Sequence, residues 1–189
     1  MGCKTQDTSG NKFAIGQLAP SFDLPGVDGH QHTLEKYRGK VKALVVIFSC
    51  NHCPWVIKYE NRMIALGKEY RNSGVGFVII NVNDVGQYPA DSFDNMKKRS
   101  TDKGYPFPYL YDESQDSAHA YGAQVTPEIF LFDGELKLSY TGSIDDNPDN
   151  AKRPTQQYLK DAIEAILAGQ PDRIIEPRTQ PRGCSIKWK

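Results

Sequence analysis

The chain has 189 residues, of which 39% are hydrophobic, and 23 Lys plus Arg balance 23 Asp plus Glu. That length accommodates one domain with a full core and no need of disulfide staples. A balanced charge gives no field to draw in nucleic acid or an anionic membrane, and the longest apolar run is far too short to span a bilayer, so neither a nucleic-acid partner nor a membrane-spanning segment is expected.

Residues 1–12 are polar and small and are expected to form a flexible tail ahead of a domain at 13–170. No secretory apolar segment follows Met1, which points to the cytoplasm. The alternative is an extracytoplasmic chain carrying a lipid on Cys3; the Ser or Thr of a myristoylation site is missing at Gln6. Between residues 18 and 34, short apolar pieces alternate with Pro20, Pro25 and Gly26, and Asp28-Gly29 predicts a hairpin turn.

The pattern that fixes the class comes next. Residues 42–48 are apolar and predict a buried strand, and residues 53–72 predict a helix with Val56, Tyr59, Met63, Leu66 and Tyr70 on one face. Ser73-Gly74 ends that helix, and Val75 to Val82 is a second strand-like run. The result is a βαβ unit with Cys50-Asn51-His52-Cys53-Pro54 at the C-terminal edge of its first strand, where open parallel sheets place their sites. A thiol at a helix start faces unpaired N–H groups and the positive end of the dipole, which favours its thiolate. Two thiols separated by two residues can close a disulfide within one turn. The first expectation is therefore dithiol–disulfide exchange.

Further along, residues 89–100 predict an amphipathic helix, Tyr109–Tyr111 a short strand and residues 114–121 a short helix stopped by Gly122. Ile129 to Phe132 and Leu136 to Thr141, joined by Asp133-Gly134, predict a β-hairpin with an Asp-Gly turn. Residues 145–153 predict an exposed loop, and residues 155–168 a strongly periodic helix closed by Gly169. The proline-bearing tail, 171–189, predicts an extended strap packed on the domain, anchored by Trp188. The aromatic run from Tyr105 to Tyr111 is expected in core and loop packing. Val125-Thr126-Pro127 precedes the hairpin strand. A proline at a strand entry is ordinary edge punctuation. The other reading is a cis bond after Thr126 that exposes the Thr126 backbone beside the thiols.

Strand, CxxC, helix, strand and a Thr-Pro leading into a terminal ββα unit resemble the thioredoxin fold. Phe48-Ser-Cys-Asn-His-Cys-Pro54 and Gly183-Cys-Ser-Ile-Lys-Trp188 together resemble the peroxiredoxin-like subgroup of that fold, redoxins of the thiol-specific-antioxidant class. The resemblance runs from about Ile15 to Trp188. It implies an α/β thioredoxin-like domain, a central mixed sheet flanked by helices with an N-terminal hairpin and C-terminal strap. It also implies a cis Pro127 and a redox pair of Cys50 and Cys53, and it supplies no substrate.

Cys50 is the expected nucleophile, being nearest the helix start and by analogy the more exposed, and Cys53 the more buried resolving thiol. His52, if protonated, stabilises a Cys50 thiolate and makes the pair more oxidising. Asn51, Trp55 and the Thr126 backbone are the expected substrate contacts. Two departures from the family pattern stand out. The strand 43–48 carries no acid to move protons. The peroxidatic proline and Thr or Ser are also missing: counting back from Cys53 gives Val46 and Cys50, and from Cys50 gives Ala43 and Ile47. Cys184 is expected to be a small buried hydrophobe, a third thiol for Cys50 being the alternative.

The leading function is a thiol–disulfide oxidoreductase that exchanges a Cys50–Cys53 disulfide with protein or low-molecular-weight thiols. It needs no cofactor or metal and is expected as a monomer or weak dimer. Thiol-dependent peroxidase activity is the first alternative. A copper-binding thioredoxin-fold chaperone is the second, with His119 its only candidate distal ligand and expected to face solvent.

Overall fold

The structure, a computed structural model, describes residues 13–189; the expected tail and Cys3 lie outside the described residues. Five strands form the central sheet: β3 (Ala43–Ser49), β4 (Val75–Asn81), β5 (Tyr109–Tyr111), β7 (Glu128–Asp133) and β8 (Leu138–Gly142), in the order β5-β4-β3-β7-β8. β3 runs parallel to β4, from Ala43 opposite Val75 to Ser49 opposite Asn81, and antiparallel to β7. Outside the sheet, β1 (Asp23–Pro25) and β2 (Gln31–Thr33) form the expected N-terminal hairpin.

Every residue of β3 is buried, as a strand with both faces covered must be. Ala43, Val45 and Ile47 pack on one face with α1 (Pro54–Glu69), α2 (Phe93–Lys103) and α4 (Tyr158–Leu167), through Val56, Tyr59, Met63, Met96 and Leu159. Leu44, Val46 and Phe48 pack on the other with α3 (Asp116–Tyr121) and the hairpin, through Leu24, Leu34, Ala118 and Tyr121. This is the mixed, helix-flanked α/β sheet of the thioredoxin-like fold. No helix among the described residues is long and apolar enough to cross a membrane.

Three local expectations are corrected. The helix predicted over residues 89–100 divides into a 3₁₀ turn at Pro89–Asp91 and α2. The divider is Ser92, whose extended backbone and hydroxyl, accepting the Asn95 N–H, cap α2 afresh. The β7–β8 turn is longer than an Asp-Gly hairpin. Asp133 accepts the N–H groups of Glu135 and Lys137, and Leu136, not Gly134, takes the left-handed backbone (φ 62°), its side chain buried in the core. In the loop at residues 145–153, Asp145 is buried and paired with Arg62 at 2.6 Å.

The strap turns once at Pro171–Arg173 and then runs extended. It ends in β9 (Cys184–Ser185), paired antiparallel with β6 (Val125–Thr126), so that Cys184 lies opposite Thr126. Ile186 is buried, and the Trp188 ring stacks on His119 at 4.2 Å.

Candidate active site

Cys50 directly follows β3, and Cys53 is the N-cap of α1, with Pro54 at the first helical position, where its missing N–H costs nothing. Both are free thiols, and each is 1% exposed. The sequence expectation of an exposed Cys50 over a buried Cys53 is thus corrected: the loop folds both sulfurs inward against the cis Thr126–Pro127 segment. The Thr126 hydroxyl lies 3.4 Å from Cys50 Sγ, and the Thr126 carbonyl accepts from Cys53 Sγ at 3.2 Å. The hydroxyl missing from the local sequence is therefore supplied by a residue 76 positions away.

The two thiols are shifted in opposite directions. Cys53 is lowered to about 4, first because the Cys50 S–H donates to it; the Cys184 thiol and the N–H groups of Val56 and Cys184 add to this, while burial opposes it. Val56 occupies the third helical position, where an N-cap acceptor is served. Cys50 is raised, through the proton it holds for Cys53, then by burial and by the charge of Asp91. The Thr126 carbonyl is a partner for the Cys53 thiol and a repulsive neighbour of its thiolate, so the S–H and N–H donors must outweigh it.

An acid absent from the strand does stand beside the loop: Asp91. It reaches the site from the 3₁₀ turn, is fully buried, and accepts from Asn51 N at 2.6 Å, His52 N at 3.1 Å and Asn83 Nδ2 at 2.9 Å. His52 Nδ1 lies 2.6 Å from its second oxygen, and the His52 ring stacks on Tyr88 with centroids 4.7 Å apart. His52 is therefore oriented by Asp91, while its side chain stays 27% exposed. Asn81 holds the turn by donating to the Asp91 carbonyl. Asn51 is turned inward, its amide donating to the Ala90 carbonyl and accepting from the Tyr109 hydroxyl. Both ends of the side chain expected to meet substrate are thus engaged within the protein, because the loop needs them to hold its shape. Trp55 is half-buried against the core, with the Lys58 ammonium 4.9 Å above its ring.

Cys50, His52 and Asp91 bring one donor atom each within 4.8 Å of one another. Two of these three donors are hydrogen-bonded to each other, and a carboxylate is a poor ligand for Cu(I). His119, stacked on Trp188, does not join them. Sequence reasoning missed Asp91 because an acid in a predicted polar helix reads as solvated. The one signal was the pair Asn81 and Asn83 at the end of an otherwise apolar strand, amides that need buried partners.

The AhpC/TSA family pattern matches residues 15–141. The thiol-disulfide oxidoreductase ResA of Geobacillus kaustophilus is 31% identical over 140 residues, covering 72% of this chain and 75% of that protein. An uncharacterized conserved protein from Geobacillus kaustophilus has a crystal structure 45% identical in sequence, with a TM-score of 0.85 over 95% of this chain and 94% of that one. A hypothetical protein from Sinorhizobium meliloti is 36% identical, with a TM-score of 0.87 over 95% and 97%.

Proposed function

The chain belongs to the AhpC/TSA family and is a thiol–disulfide oxidoreductase of thioredoxin fold, and we propose that Cys50 and Cys53 are its exchanging pair, within the peroxiredoxin-like subgroup. The observation that carries this assignment is the pair of buried, unbridged thiols at the start of α1, both held against Thr126. In the proposed cycle, Cys50 attacks the outside disulfide while its proton passes to Cys53. One substrate sulfur leaves, and a Cys50–substrate disulfide forms. Cys53 then gives that proton to the departing thiolate and attacks Cys50 Sγ, which closes Cys50–Cys53 and releases the second substrate sulfur as a thiolate. Two electrons and the pair's one proton end on the substrate, and the second substrate sulfur takes its proton from solvent.

The Thr126 hydroxyl supports negative charge on Cys50 during attack, and Pro127 holds Thr126 in place. Asp91 and His52 form a polar path from the buried loop to solvent, the proton route for which β3 carries no acid. Trp55 flanks the pair as a wall for the partner, and Asn51 positions the loop. A thiolate on Cys53 stabilises the reduced form, so the pair is expected to be more oxidising than a thioredoxin without that stabilisation.

The test is trapping. With insulin or oxidised glutathione as substrate, Cys50→Ser and Cys53→Ser are each expected to lose activity about 100-fold or more, and only Cys53→Ser should accumulate a mixed disulfide, on Cys50. Full activity in Cys50→Ser refutes the assignment. The Thr126 hydroxyl beside Cys50 also favours a second reading, thiol-dependent peroxidase activity. Rapid sulfenic acid on Cys50 at low peroxide is its signature.

A further inference from the structure

We propose that Cys184 is a third redox thiol, which takes over the disulfide from Cys50 by exchange at Cys53 while the strap occupies the strand edge beside the pair. This rests on the assignment of Cys50 and Cys53 above. The strap is not loosely placed. Its β9 residues pair with Val125 and Thr126, the backbone that flanks both sulfurs, and Gly183 lies so close to Thr126 that a Cβ there would meet the Thr126 carbonyl oxygen at 2.5 Å. Beyond Cys184, the Ile186 N–H donates to the Gln124 carbonyl and the Lys187 N–H to Asn83 Oδ1, while Gln115 holds the Lys187 carbonyl.

An extended peptide carrying a disulfide to this site would be aligned by backbone pairing along the same edge, since β-strand addition uses free strand backbone. The protein's own strap has that place: Cys184 lies opposite Thr126, whose carbonyl accepts from Cys53 Sγ at 3.2 Å, and it packs against the core cluster that holds Cys50 and Cys53. Cys184 is only partly buried there, so the expectation of a fully buried small hydrophobe is corrected.

The exchange balances without an added oxidant. Starting from the Cys50–Cys53 disulfide, Cys184 Sγ attacks Cys53 Sγ; the Cys53–Cys184 bond forms and the Cys50–Cys53 bond breaks. The proton of Cys184 ends on Cys50. No electron leaves the protein, Cys50 returns to the thiol state, and the strap becomes covalently fixed across Thr126. Cys184 is held at about 11, by burial first and then by the neighbouring Cys53 thiolate, with Lys187 acting in the other direction. Once Cys53 is in a disulfide, its charge is gone and the pull of Lys187 remains, so Cys184 ionises more easily when there is a bond to attack.

Disulfide mapping tests this on the full chain. The protein is oxidised with oxidised glutathione, its free thiols are blocked with iodoacetamide, and it is cut with trypsin. Cys50 and Cys53 fall in one peptide, residues 43–58, and Cys184 in another, residues 183–187. We expect the two peptides linked, with one alkylated cysteine in the first, and a loss of Cys184 alkylation relative to reduced protein. Cys50→Ser should form the same link, and Cys53→Ser should leave Cys184 open to alkylation. Complete alkylation of Cys184 in both oxidised wild type and Cys50→Ser overturns the proposal, as does a bond from Cys184 to Cys3 in place of Cys53. If Cys184→Ser fails to form a Cys50–Cys53 disulfide, the assignment of the pair falls instead.

Discussion

The two flanks of the dithiol are built from different chemistry. On the Cys50 side stands a fully buried carboxylate, fixed by backbone and side-chain N–H groups and by His52. On the Cys53 side stand the start of α1, a carbonyl from Thr126 and a third sulfur carried in by the strap. The first flank carries negative charge already and disfavours more of it on the nearer sulfur. The second supplies S–H and N–H donors, which lower Cys53. The contrast teaches that the position of a cysteine in a CxxC does not by itself assign the thiolate; what packs on each side of the loop does.

The sharpest break of this comparison is the pH dependence of the reduced protein. Cys53 is lowered from 9.0 to about 4 and Cys50 is raised, so the reduced pair carries one proton through neutrality. Because a tenfold change in equilibrium is about 30 mV for two electrons, the reduction potential should fall by about 30 mV per pH unit near pH 7, and not by about 60. The sign for stability follows from the same values. The lowered Cys53 stabilises the folded, reduced protein fully above pH 9, and that contribution fades as pH falls through about 4. Above pH 9 the raised Cys50 acts oppositely, since the unfolded thiol ionises first. Denaturant titration of reduced protein from pH 8 down to 4 should show the loss, and disulfide-closed protein should not.

Next in size is Asp91→Ala, which strips four hydrogen-bond donors of their acceptor and should cost about 3 kcal/mol in urea unfolding. Asp91→Asn keeps the shape and removes the charge; it should shift Cys50 alkylation to lower pH, and an unchanged profile would mean the two flanks are not electrostatically distinct. Gly183→Ala attacks the other flank. The added methyl has no room against Thr126, so about 1–3 kcal/mol of stability should be lost as the strap backs away, with faster alkylation of Cys53. The smallest effect is expected for His52→Ala. The ring sits on Asp91 and is partly exposed, so its removal should lower the potential by no more than about 30 mV.

Much of the architecture was legible in the sequence because burial leaves a periodic trace. The unbroken apolar run of β3 marks a strand covered on both faces, and the spacing of Val56, Tyr59 and Met63 marks the face of α1 that covers one of them. Together with Pro54 and the two cysteines, that pattern determined the fold class and the location of the redox pair. Only the tertiary structure decided which groups surround the sulfurs. Asp91 meets the loop across 40 residues and Thr126 across 76, while Cys184 arrives on a strap whose own sequence shows no strand pattern. Periodicity reports which side of an element leaves water, a property of neighbours along the chain. The proton affinity of a buried thiol is set by donors and charges a few ångströms away in space, and their sequence distance carries no such signal.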